Sequence, residues 1–227
     1  ARGILAGAFI ALATLGAHTI SVLVQDPGIA KICASLLFPA GLAMVLLAGG
    51  ELFTGNCMMV LGMFHGDVKP SALLKNWGLV YIGNFIGAIA IAALTVWARR
   101  SDTALLTVAV AAAEAKMAVS VGEAFFRAIL CNILVCAGVW MSYSADSTSA
   151  KLLAMYSPVV LFVLCGTEHC VANMYYFMAA FFAGGSPAIT VSGFLLGNLL
   201  PVTLGNIIGG SVLFSGALWF ALFCKKA

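Results

Sequence analysis

The chain has 227 residues, of which 63% are hydrophobic and only 8% charged, with a formal net charge of +3 and a mean hydropathy of +1.11. So few charges exclude a soluble domain of this size and point to an all-α polytopic membrane protein set in a lipid bilayer. The apolar runs are too long and continuous for a β-barrel, and the small charge gives no reason to expect nucleic acid.

In chain order, six apolar spans are expected. The first covers residues 2–24 and ends at Gln25-Asp26-Pro27-Gly28. Arg2 before this run mimics a charged n-region only in part, and no cleavable signal is expected. The chain starts without Met, which leaves terminal segments open. The second span, 30–65, is far longer than the ~20 residues a bilayer needs and is interrupted at 49–56. A hydrophilic connector, 65–71, leads to the third span, 76–97, which Arg99-Arg100-Ser101-Asp102 closes. Residues 103–119 are Ala-rich, carry Glu114 and Lys116, and read as a short interfacial helix. The fourth span is 121–143. The fifth, 152–182, is again overlong, with a polar stretch at 166–173, and Gly184-Gly185-Ser186-Pro187 ends it. The sixth runs over 191–224 to Lys225-Lys226.

The two halves, roughly 1–102 and 120–227 of one membrane domain, match in ordered ways. Arg2-Gly-Ile-Leu resembles Arg127-Ala-Ile-Leu, Glu51-x4-Asn56 matches Glu168-x4-Asn173, and Asn76-x7-Asn84 matches Asn198-x7-Asn206. The offsets are near-constant at 125, 117 and 122 (127 less 2, 168 less 51, 198 less 76). Each half has three spans, an odd number, so the second copy sits upside down, and paired broken helices in an inverted repeat mark a transport site. Six spans put both termini on one side. That side carries Arg2, Lys69, Lys75, Lys151, Lys225 and Lys226, the other Lys31, Arg99, Arg100 and Lys116, which gives cytoplasmic termini under the positive-inside rule.

The chemistry concentrates in the second break, Gly166-Thr167-Glu168-His169-Cys170-Val171-Ala172-Asn173, because ionisable groups at membrane depth face a bundle interior or a cavity. A duplicated break marks His169 as functional rather than as an interior histidine bonded to backbone; it can donate a hydrogen bond or a proton to a passing anion. Glu51 and Glu168 are expected to accept backbone N–H groups freed at the breaks, and Asn56 and Asn173 to tie the segments together. New helix N-termini there suit small anions, with Gly49, Gly50, Gly55 and Gly166 supplying the turns. Phe53, in the first loop, is a greasy gate candidate with the Thr54 hydroxyl beside it. Lys116 either snorkels to headgroups or folds inward and raises positive potential near His169. Seven cysteines, Cys33, Cys57, Cys131, Cys136, Cys165, Cys170 and Cys224, nearly all lie in apolar runs and read as reduced packing residues. Cys165 and Cys170 bracket His169 but lack paired metal-site spacing, so no metal or cofactor is expected.

Glu51-Leu-Phe-Thr-Gly-Asn, Gly166-Thr-Glu-His-Cys-Val-Ala-Asn-Met174 and Pro201-Val-Thr-Leu-Gly-Asn-Ile-Ile-Gly-Gly210 resemble signature stretches of the formate/nitrite transporter family. Asn76-Trp-Gly-x4-Gly-Asn84 and Ala137-Gly-Val-Trp-Met-Ser142 are similar to it too. The resemblance covers essentially the whole chain. It implies an aquaporin-like protomer, a homopentamer with a pore in each protomer, and passage of formate, nitrite or hydrosulfide. By motif it makes His169 the central pore histidine, with Leu42, Phe53 and Phe162 as hydrophobic constrictions on its two sides. Thr54 and Asn173 would line or support the loops, Asn206 would stand near His169, and Lys116 would be the vestibule lysine. Thr167, Cys170 and Gly55-Asn56-Cys57 depart from the formate channels' usual residues, so the resemblance does not choose among the three anions.

The expected activity is therefore a small-anion channel in the cytoplasmic membrane, not an enzyme. A bare anion meets a large desolvation cost in an apolar constriction, which positive helix ends, Lys116 and His169 would offset. The alternatives are a water- or glycerol-type channel, whose Asn-Pro-Ala pairs are absent, and a membrane metal or redox protein. The latter would need span-borne histidine pairs, whereas His18 and His65 lie near span ends.

Overall fold

The computed structural model describes residues 1–222. Cys224, Lys225 and Lys226 lie outside the described residues, so the terminal lysines used for orientation are not placed.

Helix α1 (Arg2–Leu23) packs along α6 (Pro70–Ala98). The contact is made of small residues: a Cβ on Gly7 would collide with the Asn84 backbone, and one on Gly87 with that of Ile4. In lipid no hydrophobic drive pushes helices together, so close backbone approach supplies the attraction. α6 starts six residues ahead of the expected span, because Pro70 sits in the first turn, where a missing N–H leaves nothing unpaired.

The expected second span is a series of pieces. Asp26 caps α2 (Pro27–Leu37), its Oδ1 accepting the Ile29 N–H at 2.8 Å. Pro39 opens α3 (Pro39–Leu47) and marks the joint between the two, where its ring supplies no N–H. After a non-helical stretch come α4 (Phe53–Asn56), a 3₁₀ turn (Cys57–Met59) and α5 (Val60–Phe64). The break is thus shorter than expected: Phe53 and Thr54 begin the returning helix rather than lying in the loop.

α7 (Thr103–Met117) forms where a short helix was expected, and one face of it packs into the protein. It buries Leu105, Ala109 and Ala113 and packs against α1 and the returning half of the fifth span. α8 (Val121–Tyr143) matches the expected fourth span. The fifth divides into α9 (Thr148–Leu164) and α10 (Cys170–Phe182). In the sixth, π-helical segments Gly193–Leu199 and Ile208–Ser215 flank α11 (Leu200–Ile207), and α12 (Gly216–Leu222) follows. Gly205 and Gly209 press on the backbone of Phe125 and Ile129 in α8, as Gly83 and Gly87 do on α1.

Among the described residues five helices are long and apolar enough to cross a membrane: Arg2–Leu23, Pro27–Leu47, Pro70–Ala98, Val121–Tyr143 and Gly193–Leu222. The remaining span is made of two shorter pieces, α9 and α10. Polarity is arranged inside out. Leu23, Trp97 and Leu153 are more than two-thirds exposed, while Asn84, Asn132, Asn173, Asn198 and Asn206 are buried. That is the order a lipid solvent demands, since each interior amide must find its partner within the protein.

Candidate functional site

The two breaks turn on glycine. Gly49 (φ 70°) and Gly166 (φ 64°) adopt the left-handed conformation that side chains disfavour. Gly50 and Gly55, also expected to supply turns, do not.

Beyond each turn the freed backbone is satisfied by an asparagine from a neighbouring span. The Phe53 N–H donates to Asn84 Oδ1 at 2.9 Å, and Asn84 Nδ2 donates to the carbonyls of Gly3 (2.7 Å) and Glu51 (2.9 Å). In the other half the Cys170 N–H donates to Asn206 Oδ1 at 2.9 Å, and Asn206 Nδ2 donates to the carbonyls of Ala128 (2.8 Å) and Glu168 (3.0 Å). This differs from the expectation for the glutamates. Their carboxylates hold side chains instead. Asn56 and Asn76 donate to Glu51 Oε2 at 3.3 and 3.0 Å, and Asn173 donates to Glu168 Oε2 at 2.6 Å and to Asn198 Oδ1 at 2.7 Å. An amide carries both a donor and an acceptor, which a carboxylate does not, so asparagine suits a broken backbone that exposes both. Asn206, expected beside His169 in the passage, has both ends of its amide engaged in this scaffold.

The halves differ in their cations. Arg2 lies 3.6 Å from Glu51 at the edge of the molecule. Its counterpart Arg127 pairs with Glu123, and Glu168 is met by Lys116 of α7, with Nζ at 3.0 Å from Oε1 and 2.9 Å from Oε2. Lys116 is folded inward, its ammonium also 4.8 Å from the centre of the Tyr176 ring, where the cation meets the negative face of the π-system. Of the two positions open to it from sequence, it takes the inward one.

His169 stands where the first half has Leu52, just before the returning helix. Its Nδ1 accepts the Ala172 N–H at 3.1 Å, so the imidazole caps α10. Nδ1 therefore holds a lone pair, and Nε2 carries the proton. Nε2 lies 2.9 Å from Thr54 Oγ1, to which it donates. This one contact joins the two returning half-helices. It also leaves the Thr54 hydroxyl proton free to donate. The histidine thus has the backbone bond weighed from sequence at one nitrogen, and its other nitrogen meets the partner break.

Aromatic rings enclose the pair. Phe162 stacks on His169 with centroids 5.9 Å apart and meets Phe38 edge-on at 5.5 Å. Phe53 packs edge-on to Tyr81 at 4.9 Å and Trp77 at 6.1 Å. Leu42 is buried in the same core. A cleft of about 320 Å³ has Lys116, Arg127, Tyr176, His169 and Phe162 in its lining. Among the described residues no group of three or more metal-ligating side chains is present.

Sequence reasoning quoted Asn76, Asn84 and Asn198 as repeat markers without giving them a role; an asparagine inside an apolar span was the available signal. Tyr176 carried none, being an ordinary aromatic, and Arg127 was quoted only as a repeat marker.

The family model described as formate/nitrite transporter matches residues 1–220. The chain belongs to the formate/nitrite transporter family. It is 37% identical over 233 residues to the formate channel FocA of Haemophilus influenzae, covering 92% of this chain and 81% of that protein. It is 34% identical over 222 residues to the nitrite transporter NirC of Salmonella typhimurium, covering 96% and 80%. A solved pentameric formate channel with formate bound superposes with a TM-score of 0.87 at 31% identity, covering 99% of this chain and 96% of that one. With the fold above, this makes the chain a multi-pass, all-α membrane protein of a transport family, not an enzyme, and the neutral-solute and redox alternatives are not favoured.

Proposed function

We propose that the chain conducts small monovalent anions, formate, nitrite or hydrosulfide, through a passage that crosses the His169–Thr54 contact. The observation that carries this reading is the hydrogen bond from Nε2 to Oγ1 at the junction of the two half-helices. An anion arriving there meets the Thr54 O–H, polarised by the imidazole N–H behind it, in surroundings dry enough to strengthen both bonds. The role is donation of a hydrogen bond rather than of a proton, since protonating Nδ1 removes the acceptor that caps α10. Lys116 gathers anions in the cleft, where its pairing with Glu168 leaves the site without net negative charge. Phe162 closes the passage on the cleft side, and Leu42 and Phe53 close it on the other. The two halves, 1–102 and 120–227, are related by inversion. Five copies assemble with a pore in each, in the cytoplasmic membrane with cytoplasmic termini. The pentameric neighbour supports the assembly, the repeated asparagine network the relation of the halves, and the lysine and arginine distribution the orientation.

The test is flux into liposomes holding the purified protein, compared for formate, nitrite, hydrosulfide, chloride and glycerol. Selective flux of the weak-acid anions is expected, falling at least ~10-fold in His169→Phe, the scale of one lost charge-assisted hydrogen bond. Unchanged flux with unchanged pH dependence would remove His169 from the mechanism. Glycerol passing as fast as formate would overturn the reading.

A further inference from the structure

A second cavity, of about 400 Å³, opens between the end of α1, the start of α2 and the middle of α7, and His18, Ser21, Gln25 and Lys31 give it a polar lining. It shares Ala112, Val163 and Tyr176 with the Lys116 cleft, so the two chambers adjoin there. The Lys116 ammonium sits over the Tyr176 ring, and the His18 ring lies edge-on to it with centroids 5.0 Å apart.

His18 is only 3% exposed, yet its Nε2 has no hydrogen-bond partner. A buried ring nitrogen left unpaired is costly. The hydroxyls near it on α1 are used elsewhere: Thr14 donates to the Ile10 carbonyl at 2.9 Å and Ser21 to that of Ala17 at 3.1 Å. Tyr175, whose ring is also against His18, donates to Thr95 at 3.3 Å. Lys31 forms no ion pair among the described residues. Its Nζ lies 3.3 Å from where a Cβ on Gly166 would stand, which puts the ammonium at the break, on the seam between the chambers.

We propose that this cavity is an anion-binding antechamber, in which Lys31 and His18 hold a small monovalent weak-acid anion before it passes Tyr176 to Lys116. The proposal rests on the anion-channel reading. The charges facing His18 select the ligand class. Lys31 of α2 and Lys116 of α7 are cationic, Tyr175 and Tyr176 of α10 are neutral, and the nearest carboxylates are engaged: Asp26 with the α2 N-terminus, Glu168 with Lys116 and Asn173. A cation would be repelled, and a neutral solute would gain from Lys31 a hydrogen bond without the charge–charge attraction. An anion gains a charge-assisted bond from the ammonium and gives the imidazole the partner it lacks. Water is then shed in two stages, first here and then at Lys116, instead of all at once at Phe162.

The test measures formate flux against concentration from each face of oriented liposomes, for wild type, His18→Phe, Lys31→Gln and the double variant. The double variant is expected to raise the half-saturating concentration about 10-fold on one face only, the scale of one lost charge-assisted hydrogen bond, with maximal flux unaltered. Should His18→Phe not fold, Lys31→Gln, at an exposed position, carries the test with a smaller shift of the same one-sided kind. A second readout needs no transport: in protein carrying His169→Phe, the ring-nitrogen NMR signal of His18 moves when formate is added and stays put with glycerol. Half-saturation unchanged on both faces, or a His18 signal unmoved at flux-saturating formate, overturns the antechamber while leaving the channel reading intact. A wild-type protein that carries no anion overturns the channel reading, and the antechamber with it.

Discussion

The two glutamates sit in matching asparagine clusters but in different dielectric surroundings, so removing their cations should have unequal effects. Arg2 and Glu51 are 3.6 Å apart with side chains 71% and 31% exposed, whereas Lys116 and Glu168 are 2.9 Å apart and 16% and 4% exposed. An exposed ion pair contributes about 0–1 kcal/mol, because water screens it. Removing one partner of a buried pair costs about 3–5 kcal/mol, because the other charge is stranded. Lys116→Gln leaves the Glu168 carboxylate with the Asn173 amide alone, so its melting midpoint should fall by roughly 6–20 °C, against no more than about 4 °C for Arg2→Gln, at about 2–4 °C per kcal/mol for a chain of this size. Lys116→Gln with Glu168→Gln removes both charges and should recover most of the loss, since a neutral pair leaves no ion in the interior. Tryptophan fluorescence during heating of detergent-purified protein, with the folded peak followed by gel filtration, reads all three. Equal damage from Arg2→Gln and Lys116→Gln, or a double variant no better than Lys116→Gln, would refute the reasoning.

Thr54→Val removes the hydroxyl that receives the His169 N–H; formate flux should fall at least ~10-fold while the melting midpoint moves by only a few degrees, the size of one hydrogen bond. Asn84→Ala and Asn206→Ala each delete three hydrogen bonds at a break and should each cost about 2–5 kcal/mol. Midpoints for those two variants that differ widely would show the halves to be mechanically unequal. Gly49→Ala and Gly166→Ala force a side chain into the left-handed region and should cost about 1–2 kcal/mol, whereas Gly55→Ala, in a helix with 3.6 Å of room, should be near neutral in the same melting assay.

How the breaks were legible, and Lys116 was not, follows from range. Glu51, Asn56, Glu168 and Asn173 stand out because a carboxylate or an amide inside an apolar run is costly wherever it faces, so its presence alone signals an interior. The repeat added the second span-borne pair, Asn84 and Asn206. Lys116 sits at the end of an Ala-rich helix, where an ordinary lysine reaches headgroups, and its partner lies 52 residues away. Local pattern cannot distinguish inward from outward for such a side chain. The roles of glutamate and asparagine were exchanged for a similar reason, since which group reaches the freed N–H depends on how two spans approach, here through Gly7 against Asn84 and Gly205 against Phe125.

The sequence by itself determined a membrane solvent, the number and order of the spans, the places where two of them break, and the histidine at the second break. These follow from transfer free energies and from the need to satisfy the backbone, both of which act residue by residue. Only the tertiary structure decided that the imidazole caps its own helix and donates to Thr54, that Lys116 neutralises Glu168 while Arg127 turns away, and that His18 and Lys31 share a chamber beside them. Those outcomes are set by distances between separate spans, which the close contact of small residues fixes and which no stretch of chain encodes alone.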